Sequence, residues 1–214
     1  MALRYPLVLI RHAQAEHHIQ DITGGWTDTG LTSDGERRSN LLAERLAEDI
    51  DGLPIHLGTS SLRRARQTAL IIARKMGLEL QVYNSLADLN NGMAAGKTHA
   101  QAKSYANPPS EPLVDWQPFP QAETWSQFFQ SVSDFMDQFV ANQDMPAIPV
   151  THSANIHVII AWWLELSIES RTYFEVFPAS ITVLKMSKWG NKSIERMNDS
   201  AHLHMHGMPN PIKL

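Results

Sequence analysis

The sequence predicts an α/β fold, a three-layer α/β/α sandwich around a mostly parallel central sheet. Three observations carry that expectation. Short apolar runs such as residues 7–10 lack the in–out alternation of a sheet with one wet face, so their strands are covered on both sides. Longer stretches with apolar residues at helical spacing separate those runs, the pattern of a sheet wrapped by helices. Hydrophobic residues make up 43% of the 214, enough to fill a core on each side of such a sheet. The length fits one domain, 1–214, with a loop insertion at 91–121.

The elements follow in order. Residues 5–11 form the first strand. Ser33 with Glu36 three positions on is a capping-box pattern, so a helix runs from there to about residue 50, with Leu41, Leu42, Leu46 and Ile50 facing inward. Residues 55–60 form a second strand. A helix over 64–76 places Ala65, Thr68, Ala69 and Ile72 on one face, and Gly77 stops it because glycine takes up a left-handed conformation freely. Residues 80–83 read as an edge strand. Residues 107–120 hold five of the twelve prolines and form an ordered surface loop. Phe128, Phe129, Val132, Phe135, Met136, Phe139 and Val140 recur at helical spacing, an aromatic stripe suited to core packing. Residues 147–151 make a strand that runs into His152, a buried helix covers 154–166, and 180–186 and 194–197 supply two last strands.

Composition removes several function classes. There is no cysteine, which excludes thiol catalysis, disulfides and cysteine-ligated zinc. The net charge of −4 comes with no basic stripe, so nucleic acid is not an expected partner. No segment approaches the ~18 apolar residues of a membrane span, and the apolar run before Arg11 is too short for a secretory signal. The reading is a cytoplasmic protein without membrane attachment. Six tryptophans, Trp162 and Trp163 among them, suit a core or a homodimer interface equally well.

Four places put reactive or phosphate-friendly side chains just beyond a strand or at a helix start. Open α/β sheets gather ligand sites at the carboxyl ends of strands, so these places can converge. The first is Arg11-His12, a planar cation that fits phosphate oxygens beside an imidazole that is nucleophilic when neutral. The second is "LRRARQTA". Arg63, Arg64 and Arg66 crowd the first turn of a helix against its dipole, a conflict that a bound phosphate would relieve, and Arg64 is the inward candidate. The third is "PVTHSAN", where a strand again ends at a histidine, His152, with Ser153 opening a helix. The fourth is "LADLNNG", where Asp88 is a carboxyl able to give and then take a proton.

This set resembles the histidine phosphatase superfamily, the phosphoglycerate-mutase-like fold. Arg11-His12 is similar to the signature Arg-His-Gly, with Ala13 at the glycine. "GWTDTGLTSDG", "LRRARQTA", "LADLNNG", "QAETW", "VTHSANI" and "NDSAHL" follow in the family's order, with Glu123 in register in "QAETW". The resemblance implies that His12 attacks phosphorus, that Arg11, Arg64 and His152 hold the phosphoryl oxygens, and that Asp88 protonates the leaving group. His18, Gly25 and Ser153 join as phosphate-binding residues, His18 at a position where many relatives carry asparagine. No metal and no cofactor are implied. The function expected is a metal-independent phosphatase acting on a small phosphorylated metabolite through a phosphohistidine. Phosphoglycerate-mutase-type transfer and a phosphate-binding protein with weakened catalysis are the alternatives. Asp88 is one methylene shorter than the family's glutamate, so its carboxyl is expected to fall short by roughly 1.5 Å. His202, His204 and His206 alternate near the end and suit a solvated tail better than a metal site.

Overall fold

The computed structural model describes residues 3–204 apart from Asp51 and Arg171. Six strands form one sheet in the order β3-β2-β4-β1-β5-β6. They are β1 (Leu7–Arg11), β2 (His56–Ser60), β3 (Leu80–Tyr83), β4 (Ala147–Thr151), β5 (Ile181–Met186) and β6 (Lys192–Asp199). β3, β2, β4 and β1 run parallel, and β5 alone is antiparallel to both its neighbours. The fold is therefore the mostly parallel α/β sandwich expected.

The helices are α1 (Ser33–Asp49), α2 (Arg63–Met76), α3 (His99–Lys103), α4 (Trp125–Ala141), α5 (Ser153–Leu164) and α6 (Ala201–His204). Strand β1 shows how the layers arise. Val8 and Ile10 point into a core with Leu42 and Leu46 of α1 and Ala69 and Ile72 of α2. Leu7 and Leu9 point into a second core with Val132 and Met136 of α4 and Ile159 and Trp163 of α5. Side chains alternate across a strand, so a strand apolar at every position needs a helical layer on each face. Burying Leu42 or Leu46 completely contributes about 2 kcal/mol each.

Several boundaries differ from the sequence expectation. The cap of α1 is Thr32, whose side-chain oxygen accepts from the Gly35 N–H, and not Ser33, which is the first helical residue. The serine–glutamate spacing was thus one residue out of phase with the true cap. Leu41 and Ile50 pack only at the edge of the core. α5 begins at Ser153 and ends at Leu164, where Glu165 turns left-handed. Gly77 does end α2, with φ +67°. β3 lies at the sheet edge as read, and residues 107–120 form a loop around one short 3₁₀ turn, Leu113–Asp115. Trp163 belongs to the core and donates to the Ser193 carbonyl, whereas Trp189 is exposed. No described helix is long and apolar enough to cross a membrane. His202 is buried, and His206 lies outside the described residues.

Two features aim the sheet at a site. β2 and β1 send their following helices to one face and β4 sends α5 to the other, so a crevice opens beyond the carboxyl ends of these adjacent strands. Gly35 lets the start of α1 lie on the segment after β1, since a Cβ there would stand 1.9 Å from the Gln14 carbonyl oxygen. That contact holds the chain leaving His12.

Candidate active site

The register across the sheet brings the two strand-end histidines together. Arg11 pairs with Thr151, and the His12 N–H donates to the Thr151 carbonyl at 2.9 Å. The imidazoles of His12 and His152 then sit 4.9 Å apart between ring centres. Both are buried. Ala13 tolerates the signature glycine's place because it is not among the residues with positive φ. Its N–H donates to the Thr68 hydroxyl at 3.1 Å, which in turn donates to the Arg64 carbonyl.

His12 has a defined tautomer. Its Nδ1 lies 2.8 Å from the Ala13 carbonyl, which can only accept, so Nδ1 carries the proton. Nε2 keeps its lone pair and accepts from Arg64 Nε at 3.1 Å. Burial, then the neighbouring His152, Arg64, Arg11 and His18, hold the His12 pKa well below the ordinary histidine value. The imidazole is neutral at physiological pH, as a nucleophile must be.

Arg64 is buried although its neighbours Arg63 and Arg66 are exposed. It donates to the Thr27 and Gly25 carbonyls, both at 2.8 Å, and to Asp88 Oδ2 at 3.1 Å. The crowded start of α2 is relieved from within the chain. Leu62 offers no side-chain cap, and the Asp28 carboxylate accepts from the Arg63 N–H at 2.6 Å. The anion expected at this helix end is thus Asp28, while Arg64 turns away into the site. Arg11 donates to the Val176 carbonyl at 2.6 Å.

Asp88 does reach the cluster. Three bonds draw its loop in: Thr151 to the Leu86 carbonyl at 2.7 Å, Asn155 to the Ala87 carbonyl at 3.0 Å, and the Trp26 indole to the Asp88 carbonyl at 2.7 Å. Oδ2 stands 3.7 Å from His152 Nδ1. Burial raises the Asp88 carboxyl above its ordinary value, against the lowering pull of Arg64, the Leu89 N–H and Arg11. Ser60 Oγ accepts from the Leu62 N–H and lies 2.8 Å from His152 Nε2. His152 Nδ1 is buried without a hydrogen-bond partner among the described residues.

His18 lies with its ring stacked on His12, 5.4 Å between centres and 9° from parallel. Its Nδ1 accepts from the Ala15 N–H at 3.1 Å, so Nε2 carries the proton and stands 3.4 Å from an Arg11 nitrogen. Two donors that converge without an acceptor between them make a place for an anion. Of the remaining expected residues, Gly25 enters through its carbonyl, which accepts from Arg64. Ser153 opens α5 beside His152, and its side chain makes no hydrogen bond among the described residues. Sequence reading missed Ser60, which acts through its hydroxyl at the end of β2, and Thr27 and Val176, which act through backbone carbonyls that every residue carries. It also left His17 without a task; that ring packs 4.1 Å from His18 and its Nδ1 lies 2.8 Å from the Thr29 hydroxyl.

The family model for the histidine phosphatase superfamily (branch 1) matches residues 7–200. The chain belongs to that superfamily. It is a histidine-phosphatase-type hydrolase of the phosphoglycerate-mutase-like kind. It is 29% identical over 193 residues to "Putative phosphoserine phosphatase 2" of Hydrogenobacter thermophilus, covering 87% of this chain and 91% of that protein. It is 37% identical over 94 residues to a 2,3-bisphosphoglycerate-dependent phosphoglycerate mutase of Bartonella henselae, which covers 42% of this chain and 45% of that one. Among solved structures it is similar to "Mycobacterial hydrolase 1", with a TM-score of 0.76, 25% identity, and coverage of 91% and 98%.

Proposed function

We propose that this protein hydrolyses a small phosphomonoester through a phosphohistidine at His12, without a metal. The observation that carries the reading is the His12 tautomer, an Nε2 lone pair held among donors from Arg11, Arg64 and His18, with the His152 imidazole beside it. In the first step the Nε2 lone pair attacks phosphorus and the ester P–O bond breaks. The proton of the Asp88 carboxyl goes to the departing oxygen, so an alcohol leaves. In the second step the Asp88 carboxylate takes a proton from water, the hydroxide oxygen attacks phosphorus, and the P–N bond breaks to release phosphate. The guanidiniums and imidazole N–H groups stabilise charge that spreads over the phosphoryl oxygens in both transition states.

The imidazoles of His12, His17 and His18 offer one nitrogen each within 4.8 Å of one another, a spacing that a metal ion can use. The donor pattern favours an anion instead. His18 Nε2 carries a proton, His12 Nε2 is engaged by Arg64, and two guanidiniums oppose a second cation. A chelator should therefore leave turnover unchanged.

The test is to mix the protein with p-nitrophenyl phosphate, quench, and look for an acid-labile, alkali-stable phosphoryl group. His12→Ala should abolish both that label and turnover. Label that persists in His12→Ala would sink the reading. Similarity to the mutase over part of the chain favours a second outcome, transfer to another hydroxyl. Interconversion of 2- and 3-phosphoglycerate without phosphate release would establish it.

A further inference from the structure

We infer that Asn91 is a positioning residue that sets Asp88 against Arg64, and so places the acid relative to the nucleophile. The inference rests on the phosphatase reading and concerns how the acid is aimed. A carboxyl one methylene shorter than glutamate serves the leaving oxygen only if its loop is placed to suit.

The Asn91 side chain lies against the turn of residues 23–26 and meets it at three points. Its Oδ1 accepts from the Trp26 N–H at 2.9 Å, and its Nδ2 donates to the Thr23 hydroxyl at 3.3 Å and to the Gly24 carbonyl at 3.2 Å. The amide thus spends both protons and one oxygen lone pair on a single turn. Gly25 makes room for it. The residue has φ +55°, and a Cβ there would stand 2.6 Å from Asn91 Cγ and Oδ1.

That turn is tied to both the acid and the nucleophile. The Gly25 carbonyl, and the Thr27 carbonyl just beyond, accept from Arg64 at 2.8 Å each, and Arg64 Nε donates to His12 Nε2 at 3.1 Å. The Trp26 indole N–H donates to the Asp88 carbonyl at 2.7 Å. Asn91 therefore holds the Trp26 backbone, Trp26 holds the Asp88 backbone, and Asp88 Oδ2 accepts from Arg64 at 3.1 Å, which closes a ring of contacts. The bonds from Thr151 and Asn155 reach only the Leu86 and Ala87 carbonyls, ahead of the acid. The tie from the acid to the carbonyls that hold Arg64 runs through Trp26 and Asn91. Without the Asn91 amide the acid loses its register with Arg64. Arg11 and His18 keep theirs, since the Val176 carbonyl and the Ala15 N–H hold them. A shift of about 1 Å in a reacting group costs roughly a hundredfold in rate.

The experiment measures kcat and KM of the full chain on benzyl phosphate, which releases an alkyl alcohol and needs the acid, and on p-nitrophenyl phosphate, which needs it little. Asn91→Ala should lower the ratio of kcat on benzyl phosphate to kcat on p-nitrophenyl phosphate by about tenfold, with both KM values within about twofold of the unaltered protein. Trp26→Phe, which keeps a ring and removes the indole donor, should lower the same ratio. In the Asp88→Asn background, Asn91→Ala should change the ratio by less than about twofold, because the group it positions is gone. A ratio of rates on one preparation is unaffected by any loss of folded protein. A ratio unmoved in Asn91→Ala or in Trp26→Phe, or a fall equally large in the Asp88→Asn background, would overturn the inference and leave the phosphatase reading standing. So would turnover of p-nitrophenyl phosphate alone by the unaltered protein, since no acid would then serve an alkyl leaving group. No turnover of either ester would overturn both.

Discussion

At the scale of single residues, the site departs from its family pattern at three points, and each has a local physical account. Ala13 avoids positive φ, so a methyl group costs nothing in backbone strain. His18 uses Nδ1 to accept from its own turn, which forces Nε2–H toward the site, the same outward donor that an asparagine amide would give. Asp88 compensates for its short side chain through a loop tethered by Thr151, Asn155 and Trp26. The residue types were legible in the sequence. The tautomers and tethers were not, because they depend on backbone carbonyls such as Ala13, Leu86 and Ala87 that no motif encodes. The role assigned to Asp88 makes a definite prediction. Asp88→Asn should lower kcat on an alkyl phosphate by about 10²- to 10³-fold, since the amide cannot protonate the departing alkoxide. On p-nitrophenyl phosphate, whose leaving group needs little protonation, the loss should be much smaller. Because burial holds the Asp88 pKa above the ordinary carboxyl value, activity on alkyl phosphates should fall as pH rises through that value and the proton is lost. Asp88→Asn should erase this limb. Equal losses on both esters would remove Asp88 from the acid's role. His18→Ala should raise KM by roughly tenfold, whereas His18→Asn should restore most of it, because only a neutral donor is required at that point.

At the scale of elements, the helix starts are where sequence and structure part company. The apolar periodicity of α1 and α4 and the glycine stop of α2 were legible because each is repeated or local. Caps were less so. Thr32 and Ser33 are adjacent hydroxyl residues, both favoured as caps and serine the more so, and the choice between them is made by the Gln14 side chain and carbonyl, which engage Thr32 from eighteen residues away. Asp28 caps α2 from thirty-five residues away, beyond any local pattern. These assignments separate cleanly in stability measurements. Thr32→Ala should cost about 1 kcal/mol in urea unfolding, and Ser33→Ala should change little. The reverse order would restore the serine capping box. Asp28→Ala should destabilise by a similar amount. It should also weaken activity, because the start of α2 carries Arg64 into the site.

At the scale of the whole molecule, the fold concentrates neutral imidazoles and permanent cations beyond the carboxyl ends of the central strands, and stability should register that arrangement. His12 and His152 are held well below the ordinary histidine pKa, and burial with the nearby arginines brings His17 down to about 4 and His18 to about 3. In the unfolded chain these groups titrate near 6.5. As pH falls below that value the unfolded state takes up protons that the folded state refuses, so stability must fall, with a slope of at most ~1.4 kcal/mol per pH unit for each group. For His17 and His18 the loss should level off only near pH 4 and pH 3. Asp88 works in the opposite direction, since its folded pKa is raised and it favours the folded state at low pH, but one carboxyl does not offset four imidazoles. An anion bound at these strand ends should counter the same accumulation of donors. Phosphate at a hundred times its dissociation constant would add about 2.7 kcal/mol, or roughly 5–10 °C in melting temperature for a chain of this size. Thermal unfolding at pH 7, with phosphate compared against chloride at matched ionic strength, measures this directly. Arg64→Ala, which removes a guanidinium that joins His12 to Asp88, should abolish the difference between the two salts. Equal melting temperatures in phosphate and chloride for the unaltered protein would mean that these far-separated stretches of chain do not form one anion site.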